Sequence, residues 1–279
     1  GMSLFQEGIN QINQDRYFGP KEFLSYCEEI GFSTRLSTAH YISQDFYEKL
    51  PKELKDNNVM VLRMGGGQKT NFVLFHTGNN LKNYFLHDDE IFTNMTSQTF
   101  MPTVEMRELI PYYLMPIRSE TTFVNFALST GVFHKALGLD DSTKITMPAT
   151  GKSTFTFDVK IHSSIDTIFN HKSGQVEIDG IFLGRRKGED CLFILEAKNS
   201  KVDSSLSKHK LVYPILSLAK SVPLDIKIIP IYMKSIEHKN YFEFKIAECS
   251  FADPRKNLVA INELQLENVN IFKVPKIKI

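Results

Sequence analysis

The chain has 279 residues, a length that suits one large domain or two small ones. Hydrophobic residues make up 42% of it, enough for a sizeable core, and 33 basic residues balance 32 acidic ones. The formal charge of +1 therefore predicts neither nucleic acid nor a membrane as a partner. A DNA-binding surface would have to come from local clustering of basic residues.

Cysteine usage and hydropathy indicate the compartment. Cys27, Cys191 and Cys249 are far apart, odd in number and without CxxC spacing. This pattern disfavours a disulfide framework or a zinc knuckle and fits a reducing compartment. No stretch is apolar for long enough to span a bilayer, and the first residues lack the basic-then-apolar layout of a signal peptide. We expect a cytoplasmic protein without membrane contact.

The first hundred residues predict a mixed α/β region. A helix follows Gly19-Pro20 and ends at Gly31, and a second helix is expected over residues 43–50. Residues 59–63 and 72–76 have strand composition. Because residues 77–103 are polar and irregular, we divide the chain into an N-terminal accessory region at 1–103, which would help recognise DNA or a partner, and a catalytic domain at 104–279.

Between these two strands lies Gly65-Gly-Gly-Gln-Lys-Thr70. It lacks a glycine directly before Lys69 and so fails the pattern of a phosphate-binding Walker loop. A flexible hairpin is the simpler interpretation, and it would place Arg63 and Lys69 against DNA.

From Ser119 onward the helix and strand patterns are stronger. Ser119 is a suitable cap for a helix whose apolar residues continue at helical spacing until Gly138. Residues 154–161 alternate between polar and apolar side chains, which predicts a half-buried strand. A second strand is expected over 175–183.

The next segments complete the second half. Residues 184–188 predict a turn, and residues 191–195 are continuously apolar, as in a central strand buried on both faces. Residues 204–221 predict a helix despite Pro214, which indicates a kink or two short helices. The remaining segments are two strands at 226–233 and 241–247, with Pro230 indicating an edge or a bulge, and a tail at 272–279 that is an edge strand, a dimer contact or a simple terminus. The fold class is thus α/β, a mixed sheet flanked by helices.

Charged residues interrupt two consecutive apolar strands. Glu177 and Asp179 lie two apart on one strand, and Glu196 and Lys198 lie two apart on the next. Residues two apart share a face of a strand, so a tight hairpin would bring all four together. Charges on apolar strands are unfavourable unless they are paired or bind metal. We therefore predict a functional site, although a surface ion pair of Glu196 with Lys198 is the structural alternative.

This set suits phosphodiester hydrolysis. Carboxylates are hard oxygen ligands that prefer Mg²⁺ or Mn²⁺ to zinc. A bound cation polarises the phosphoryl oxygen and lowers the pKa of a bound water. Lys198 could orient that water or neutralise the charge that builds up on phosphorus.

The segments Val176-Glu-Ile-Asp-Gly180 and Leu195-Glu-Ala-Lys-Asn199 together resemble the PD-(D/E)xK nuclease superfamily, the fold of most type II restriction endonucleases. The family pattern is an Asp on one strand and Glu-x-Lys on the next, here Asp179, Glu196 and Lys198. The proline of the family name is absent, since Ile178 precedes Asp179. The resemblance covers roughly residues 119–250.

The resemblance implies further residues and partners. Glu120 matches a metal-associated glutamate that the family often carries on the preceding helix, beside the metal ligands Asp179 and Glu196. His209 and Tyr213 have the spacing of the family's Gln-x-x-x-Tyr motif, with His in place of Gln. A restriction-type endonuclease that cuts DNA is implied, with homodimer formation and a companion DNA methyltransferase as further implications.

Basic residues are locally enriched after the first acidic strand. Residues 181–220 hold eight basic and four acidic side chains. Arg185, Arg186, Lys208 and Lys210 are the candidates for phosphate contacts. A solvated hairpin and helix face is the alternative interpretation.

Two other functions stay open at this point. One is a non-catalytic DNA-binding or interaction protein that has kept a nuclease fold, and the intact set of Asp179, Glu196 and Lys198 argues against it. The other is a nuclease that acts on RNA, branched DNA or DNA ends. Base readout depends on loops that the sequence does not place.

Overall fold

Ten strands form one large mixed β-sheet flanked by helices in this computed structural model, which describes residues 2–278. Two further short strands pair with each other. The strands are β1 (Tyr17–Glu22), β2 (Val59–Gly65), β3 (Asn71–His76), β4 (Phe85–His87), β5 (Gln98–Thr99), β6 (Ala149–Val159), β7 (Phe169–Arg186), β8 (Glu189–Lys198), β9 (Ser205–Ser207), β10 (Lys227–Glu237), β11 (Tyr241–Ser250) and β12 (Gln265–Pro275). The helices are α1 (Gln6–Asn10), α2 (Phe23–Ile30), α3 (Thr38–Ile42), α4 (Lys52–Asn57), α5 (Asp88–Ile91), α6 (Ile110–Leu114), α7 (Glu120–Thr130), α8 (Val132–Leu137) and α9 (His209–Leu218).

The sheet order is β1-β3-β2-β7-β8-β10-β11-β12-β5, and β6 also pairs with β7. Strands β6, β7 and β8 are antiparallel to one another, whereas β10 runs parallel to β8. A parallel neighbour needs a crossover connection, and α9 supplies it. This crossover brings the beginning of α9 to the end of β8, where Glu196 and Lys198 lie.

Each face of the sheet carries its own apolar layer. On β8, Cys191, Phe193, Leu195 and Ala197 pack in the layer that contains α7 and α8. Ile194 belongs to the other layer, which contains α9 and the N-terminal elements. Such alternation explains why the central segment is apolar throughout, since both faces are covered.

Most predicted elements are confirmed, with changed bounds. The helix predicted before Gly31 is α2, and the strands predicted at 59–63 and 72–76 are β2 and β3. The alternating segment predicted over 154–161 belongs to β6. The helix predicted from Ser119 is divided at Gly131, which has φ +90° and ends α7 before α8 begins. A Cβ at Gly131 would lie 2.9 Å from Thr103 Oγ1, so a side chain is excluded sterically as well as by the backbone angle.

The predicted helix over 43–50 is wrong. The helix α3 ends at Ile42, and of the predicted residues only Tyr47–Lys49 form a short 3₁₀ turn. The backbone between them serves tertiary contacts instead. Phe46 forms a β-bridge with Leu206, and the carbonyl of Asp45 accepts a hydrogen bond from the N–H of Ser207. Pairing with a distant segment has overridden local propensity.

Similar long-range pairing shortens the helix predicted over 204–221. Residues 205–207 form β9 against β4, and α9 begins only at His209. Pro214 lies inside α9. The turn predicted over 184–188 is also shorter, because β7 continues to Arg186 and only Lys187-Gly188 connect it to β8.

The edge position inferred from Pro230 is wrong. Strand β10 lies inside the sheet, between β8 and β11. The ladder with β11 begins at Ile231, so Pro230 lies beyond its end and its missing N–H breaks no bond there. In the tail, residues up to Pro275 form β12, which pairs with β11 and with short β5, while Ile279 lies outside the described residues.

The N-terminal strands continue the sheet. Gly65 of β2 pairs with Lys172 of β7, and the Gly66 N–H donates to the Lys172 carbonyl at 2.6 Å. Apolar side chains of this region share one buried cluster with those of α9. The division at residue 103 stays a prediction. Within residues 2–278, no helix is long and apolar enough to cross a membrane.

Candidate active site

The ladder between β7 and β8 stops one residue short of two acidic side chains. Its last pair is Gly180 with Leu195, so Asp179 and Glu196 occupy the next opposing positions. Asp179 Oδ2 accepts a 2.9 Å hydrogen bond from the N–H of Ala197. The Asp179 carboxylate thus accepts the hydrogen bond that a backbone carbonyl would accept in a continued ladder. Asp179 and Glu196 face each other where the two strands separate.

An irregularity on the other side of β7 accompanies this separation. Gly151 of β6 pairs with Ile178, but Ala149 pairs with Ile181, so β7 holds one extra residue between them. Bulges of this kind locally bend a strand and redirect side chains, and they are common next to active sites. Asp179 lies within this bulged segment.

Glu196 is a buried carboxylate beside a lysine. Its exposed fraction is 4%, and its Oε1 lies 3.2 Å from Lys198 Nζ. Burial raises the pKa of Glu196 to about 8. Lys210 and Lys198 oppose this rise, while the negative charge of Asp179 adds to it.

Lys210, at the beginning of α9, is a second cation of the site. Its Nζ lies 4.0 Å from Glu196 Oε1 and 3.9 Å from Asp45 Oδ2. Burial opposes its positive charge, but the carboxylates of Glu196 and Asp45 raise its pKa above the usual value. The sequence interpretation placed Lys210 only among phosphate contacts, whereas the structure places it against the acids.

Glu120 and Glu177 extend the acidic side of the cluster. Glu120 is the first residue of α7, where the Ser119 hydroxyl accepts a hydrogen bond from the Thr122 N–H. Burial raises the pKa of Glu120, and Lys198 counteracts this. The charges of Asp179 and Glu177 also act on Glu120, so the predicted acids gather in one region.

The structure places His209 and Tyr213 one turn apart on α9, with their rings in an edge-to-face contact at 5.3 Å. His209 Nδ1 is 2.5 Å from Ser207 Oγ, and its Nε2 is 3.7 Å from Asp45 Oδ1. Burial lowers the pKa of His209 to about 4, which keeps the ring neutral near pH 7. Tyr213 donates its hydroxyl to the carbonyl of Arg63 at 3.0 Å, which ties α9 to β2.

A cavity of about 230 Å³ lies beside this cluster, although neither Asp179 nor Glu196 is among its lining residues. It opens between the N-terminal region and α9, and Glu177, Lys210 and Tyr213 all line it. Polar side chains from β2, β6 and β7 also line it, namely those of Arg63, Lys152, His171 and Gln175, together with the apolar side chains of Ile42, Val176 and Pro214. Most of its lining residues are polar, which distinguishes it from an apolar ligand pocket.

The other predicted phosphate contacts lie elsewhere. Arg185 is paired with Asp190 at the far end of β7, roughly 20 Å of strand from Asp179. Arg186 binds Glu248 at 2.7 Å and the carbonyl of Leu137. Lys208 is buried and donates to the carbonyl of Asn262. Arg186 and Lys208 are engaged within the protein, which disfavours the role predicted for them.

The acids suit a hard cation with few protein ligands. Among the residues described, no three His, Cys, Asp or Glu side chains are arranged to hold a metal ion by themselves. Mg²⁺ is usually bound through one or two carboxylates, with water and substrate phosphates completing its shell. The opposed carboxylates of Asp179 and Glu196 fit that smaller set, and the burial of Glu196 makes a nearby positive charge favourable.

Sequence reasoning missed Asp45, and it placed Arg63 against DNA without placing it beside α9. Asp45 faces His209 and Lys210 on α9, and Arg63 lines the cavity beside them. Asp45 lies in no motif, and both residues reach the site through tertiary packing. The bridge between Phe46 and Leu206 is what brings Asp45 there, and strand pairing over that distance leaves no local signal.

Comparison with known proteins yields one match. No curated protein and no solved structure is significantly similar to the chain. A family described as a domain of unknown function (DUF6997) matches residues 87–270. The matched range includes Glu120, Asp179, Glu196, Lys198 and the whole of α9, and it leaves out Asp45 and Arg63. Because the match spans more than half of its length, the chain belongs to the DUF6997 family.

Proposed function

We propose that this chain is a metal-dependent nuclease that hydrolyses DNA phosphodiester bonds on a restriction-endonuclease-like core. One observation carries the proposal. Asp179 and Glu196 occupy opposing positions where the β7–β8 ladder ends, and Lys198 Nζ lies 3.2 Å from the Glu196 carboxylate. Clusters of coupled, buried charges in a cleft are typical of catalytic sites.

Asp179 and Glu196 would hold Mg²⁺ or Mn²⁺. Besides burial, the negative charge of Asp179 raises the pKa of Glu120, so Glu120 belongs to the same charged cluster. The bound cation supplies Lewis-acid polarisation of the phosphoryl oxygen and a water of lowered pKa. Both acids are fixed before any ligand arrives, Asp179 by the N–H of Ala197 and Glu196 by its burial in the sheet. Such preorganisation is a large part of catalytic power.

The lysines have separate tasks in this mechanism. Lys198 presents a partly exposed ammonium beside Glu196, where it orients the attacking water or neutralises charge on the phosphoryl oxygens. Lys210 lies deeper, between Glu196 and Asp45, and stabilises their negative charges. Neutral His209 and Tyr213 pack beside Lys210 and hold this part of α9 in place.

The order of elements supports the restriction-endonuclease-like core. Helix α7 comes first, and the antiparallel strands β6, β7 and β8 follow. Helix α9 then crosses over to β10, parallel to β8. The resemblance implies a helix on each side of the motif-bearing strands, and α7 and α9 have those places. DNA as substrate, a homodimer and a companion methyltransferase stay implications of that resemblance.

A cleavage assay tests the proposal. The purified chain is incubated with supercoiled plasmid, linear DNA, a branched DNA and a structured RNA, each with Mg²⁺, Mn²⁺ or EDTA. We expect cleavage of DNA that needs metal, and losses of roughly a hundredfold or more in Asp179→Asn and Lys198→Met. Lys227→Met is the matched control, since Lys227 forms a surface pair with Glu189 at the other end of β8.

The pattern of products separates the alternatives. Discrete fragments indicate a site-specific endonuclease, whereas shortening from the termini indicates action on DNA ends. Cleavage confined to RNA or to the branched substrate would replace the DNA assignment. Nucleic-acid binding without cleavage of any of these substrates, unchanged in Asp179→Asn and Lys198→Met, would contradict the proposal and favour a non-catalytic binding protein.

A further inference from the structure

Arg63 lines the cavity beside the acids without a partner of its own. It belongs to β2, and its side chain is partly buried. Its Nε is buried and has no hydrogen-bond partner, and no carboxylate of residues 2–278 forms an ion pair with its guanidinium. A guanidinium stays charged at any physiological pH, so an unpaired one in a partly closed site is unfavourable until an anion joins it.

The lysines of the cavity have acidic neighbours. Lys210 lies 3.9 Å from Asp45, and Lys152 stands opposite Glu177 in the register of β6 and β7. Arg63 forms no ion pair among residues 2–278, so its positive charge lacks a comparable neighbour. The cavity volume of about 230 Å³ holds several water molecules, or a phosphate group with its neighbouring ester atoms.

The position of Arg63 relative to the acids is fixed through its backbone. Its carbonyl accepts the hydroxyl of Tyr213, the residue one turn after Lys210 on α9. Two residues later in the chain, Gly65 joins β2 to β7, the strand that carries Asp179. Arg63 is therefore held against both elements of the candidate site, so its separation from the acids is set by packed secondary structure.

We propose that Arg63 anchors a phosphate group of a nucleic-acid strand in this cavity, next to the phosphodiester that is cleaved. The inference rests on the proposed function and extends it, because it assigns a second contact for the same substrate. A planar guanidinium fork binds two phosphate oxygens at once, which positions a strand better than a point charge does. Lys152 and Gln175 line the same cavity and supply further donors.

Binding in EDTA tests this without requiring cleavage. Fluorescent single-stranded and double-stranded oligonucleotides, each with a 5′-phosphate or a 5′-hydroxyl, are titrated by anisotropy over a series of KCl concentrations. We expect Arg63→Gln to weaken binding by roughly tenfold and to lower the slope of log K against log salt by about one. Arg63→Lys should fall between it and the wild type. Arg107→Gln is the matched control, since Arg107 is exposed, lies in the 3₁₀ helix Met106–Leu109 and does not line the cavity.

Comparing the oligonucleotides that carry a 5′-phosphate with those that carry a 5′-hydroxyl identifies the source of the phosphate. Dependence on Arg63 only with the 5′-phosphate assigns the cavity to a terminal phosphate, and equal dependence with both assigns it to an internal one. Inorganic phosphate should raise the Tm of the wild type and of Arg107→Gln, but not that of Arg63→Gln. Unchanged affinity and salt slope in a folded Arg63→Gln would overturn the inference, as would an equal loss in Arg107→Gln.

The two proposals fail in different ways. Metal-dependent cleavage that is lost in Asp179→Asn, together with wild-type binding by Arg63→Gln, would remove the phosphate anchor and leave the nuclease. Binding that depends on Arg63, without cleavage of any substrate, would keep the anchor and remove the nuclease.

Discussion

At the scale of single residues, burial and charge oppose each other throughout the site. Glu196 is 4% exposed, and two lysines approach its carboxylate while Asp179 lies opposite. Placing an ionised carboxylate in such a position is unfavourable unless other charges compensate it. The two lysines supply part of this compensation, and the proposed cation between Asp179 and Glu196 would supply more.

A second buried pair lies on the neighbouring strand. Lys234 and Tyr232 of β10 are the register partners of Lys198 and Glu196, and both donate to Asp88 of α5. Asp88 Oδ2 lies 2.5 Å from Lys234 Nζ and also accepts from the N–H of Ser204. Asp88 therefore fixes the segment between β8 and α9, which delivers Lys210 to the site.

Removing Asp88 should strongly destabilise the fold. Asp88→Ala leaves Lys234 buried and unpaired, which costs about 3–5 kcal/mol, measured as the free energy of unfolding in urea. Asp190→Ala is the control, since its pair with Arg185 is exposed and contributes at most about 1 kcal/mol. The combined Asp88→Leu and Lys234→Met variant should recover part of the loss. Equal effects of the two single variants would refute the structural role of Asp88.

Buried histidines should make the fold sensitive to acid. Burial lowers the pKa of His171 to about 4, from an ordinary value of 6.5. The unfolded chain therefore takes up a proton that the folded chain rejects, and stability present above pH 6.5 is lost as the pH falls towards 4. Each such histidine changes the unfolding free energy by at most about 1.4 kcal/mol per pH unit. Burial also lowers the pKa of His209 to about 4, so His209 adds to the same acid sensitivity. His171→Gln should show a smaller slope of unfolding free energy with pH than the wild type, and an unchanged slope would contradict this.

At the scale of elements, the sequence predicts regular pairing well and its interruptions poorly. Alternation and continuous apolar runs predict β6, β7 and β8, because side-chain period follows directly from strand geometry. The extra residue of β7 near Asp179 has no such signature, since it depends on how two neighbouring ladders end. The bounds of α9 were missed for a related reason, as β9 uses residues that otherwise suit a helix.

The junction of β2 with β7 should depend on Gly65. This residue has φ +72°, and a Cβ on it would lie 2.4 Å from the Lys172 carbonyl oxygen. Gly67 also has positive φ, at +66°, but a Cβ there would have no neighbour within 4 Å. Gly67→Ala should therefore lower the unfolding free energy only by the penalty of a left-handed backbone, about 1–2 kcal/mol. Gly65→Ala should lower it by clearly more, because a steric clash is added. Equal losses of unfolding free energy in the two variants would show that the junction tolerates a side chain.

At the scale of the whole molecule, the sequence predicts the α/β class, the motif-bearing strands and a DNA-facing Arg63, but not that Asp45 and Arg63 lie beside α9. Asp45 and Arg63 come from outside the range that the family shares, yet both line the cavity beside Lys210. Their approach depends on packing between segments more than a hundred residues apart, which no local pattern encodes. Glu120 differs, because a helix cap directly before it made its position predictable.

Mn²⁺ binding measured by electron paramagnetic resonance shows whether Asp179 and Glu196 bind a divalent cation. We expect saturable binding by the wild type, loss of that binding in Asp179→Asn and Glu196→Gln, and its retention in Lys198→Met and Lys227→Met. Mn²⁺ binding by folded Asp179→Asn and Glu196→Gln equal to that of the wild type would contradict the claim.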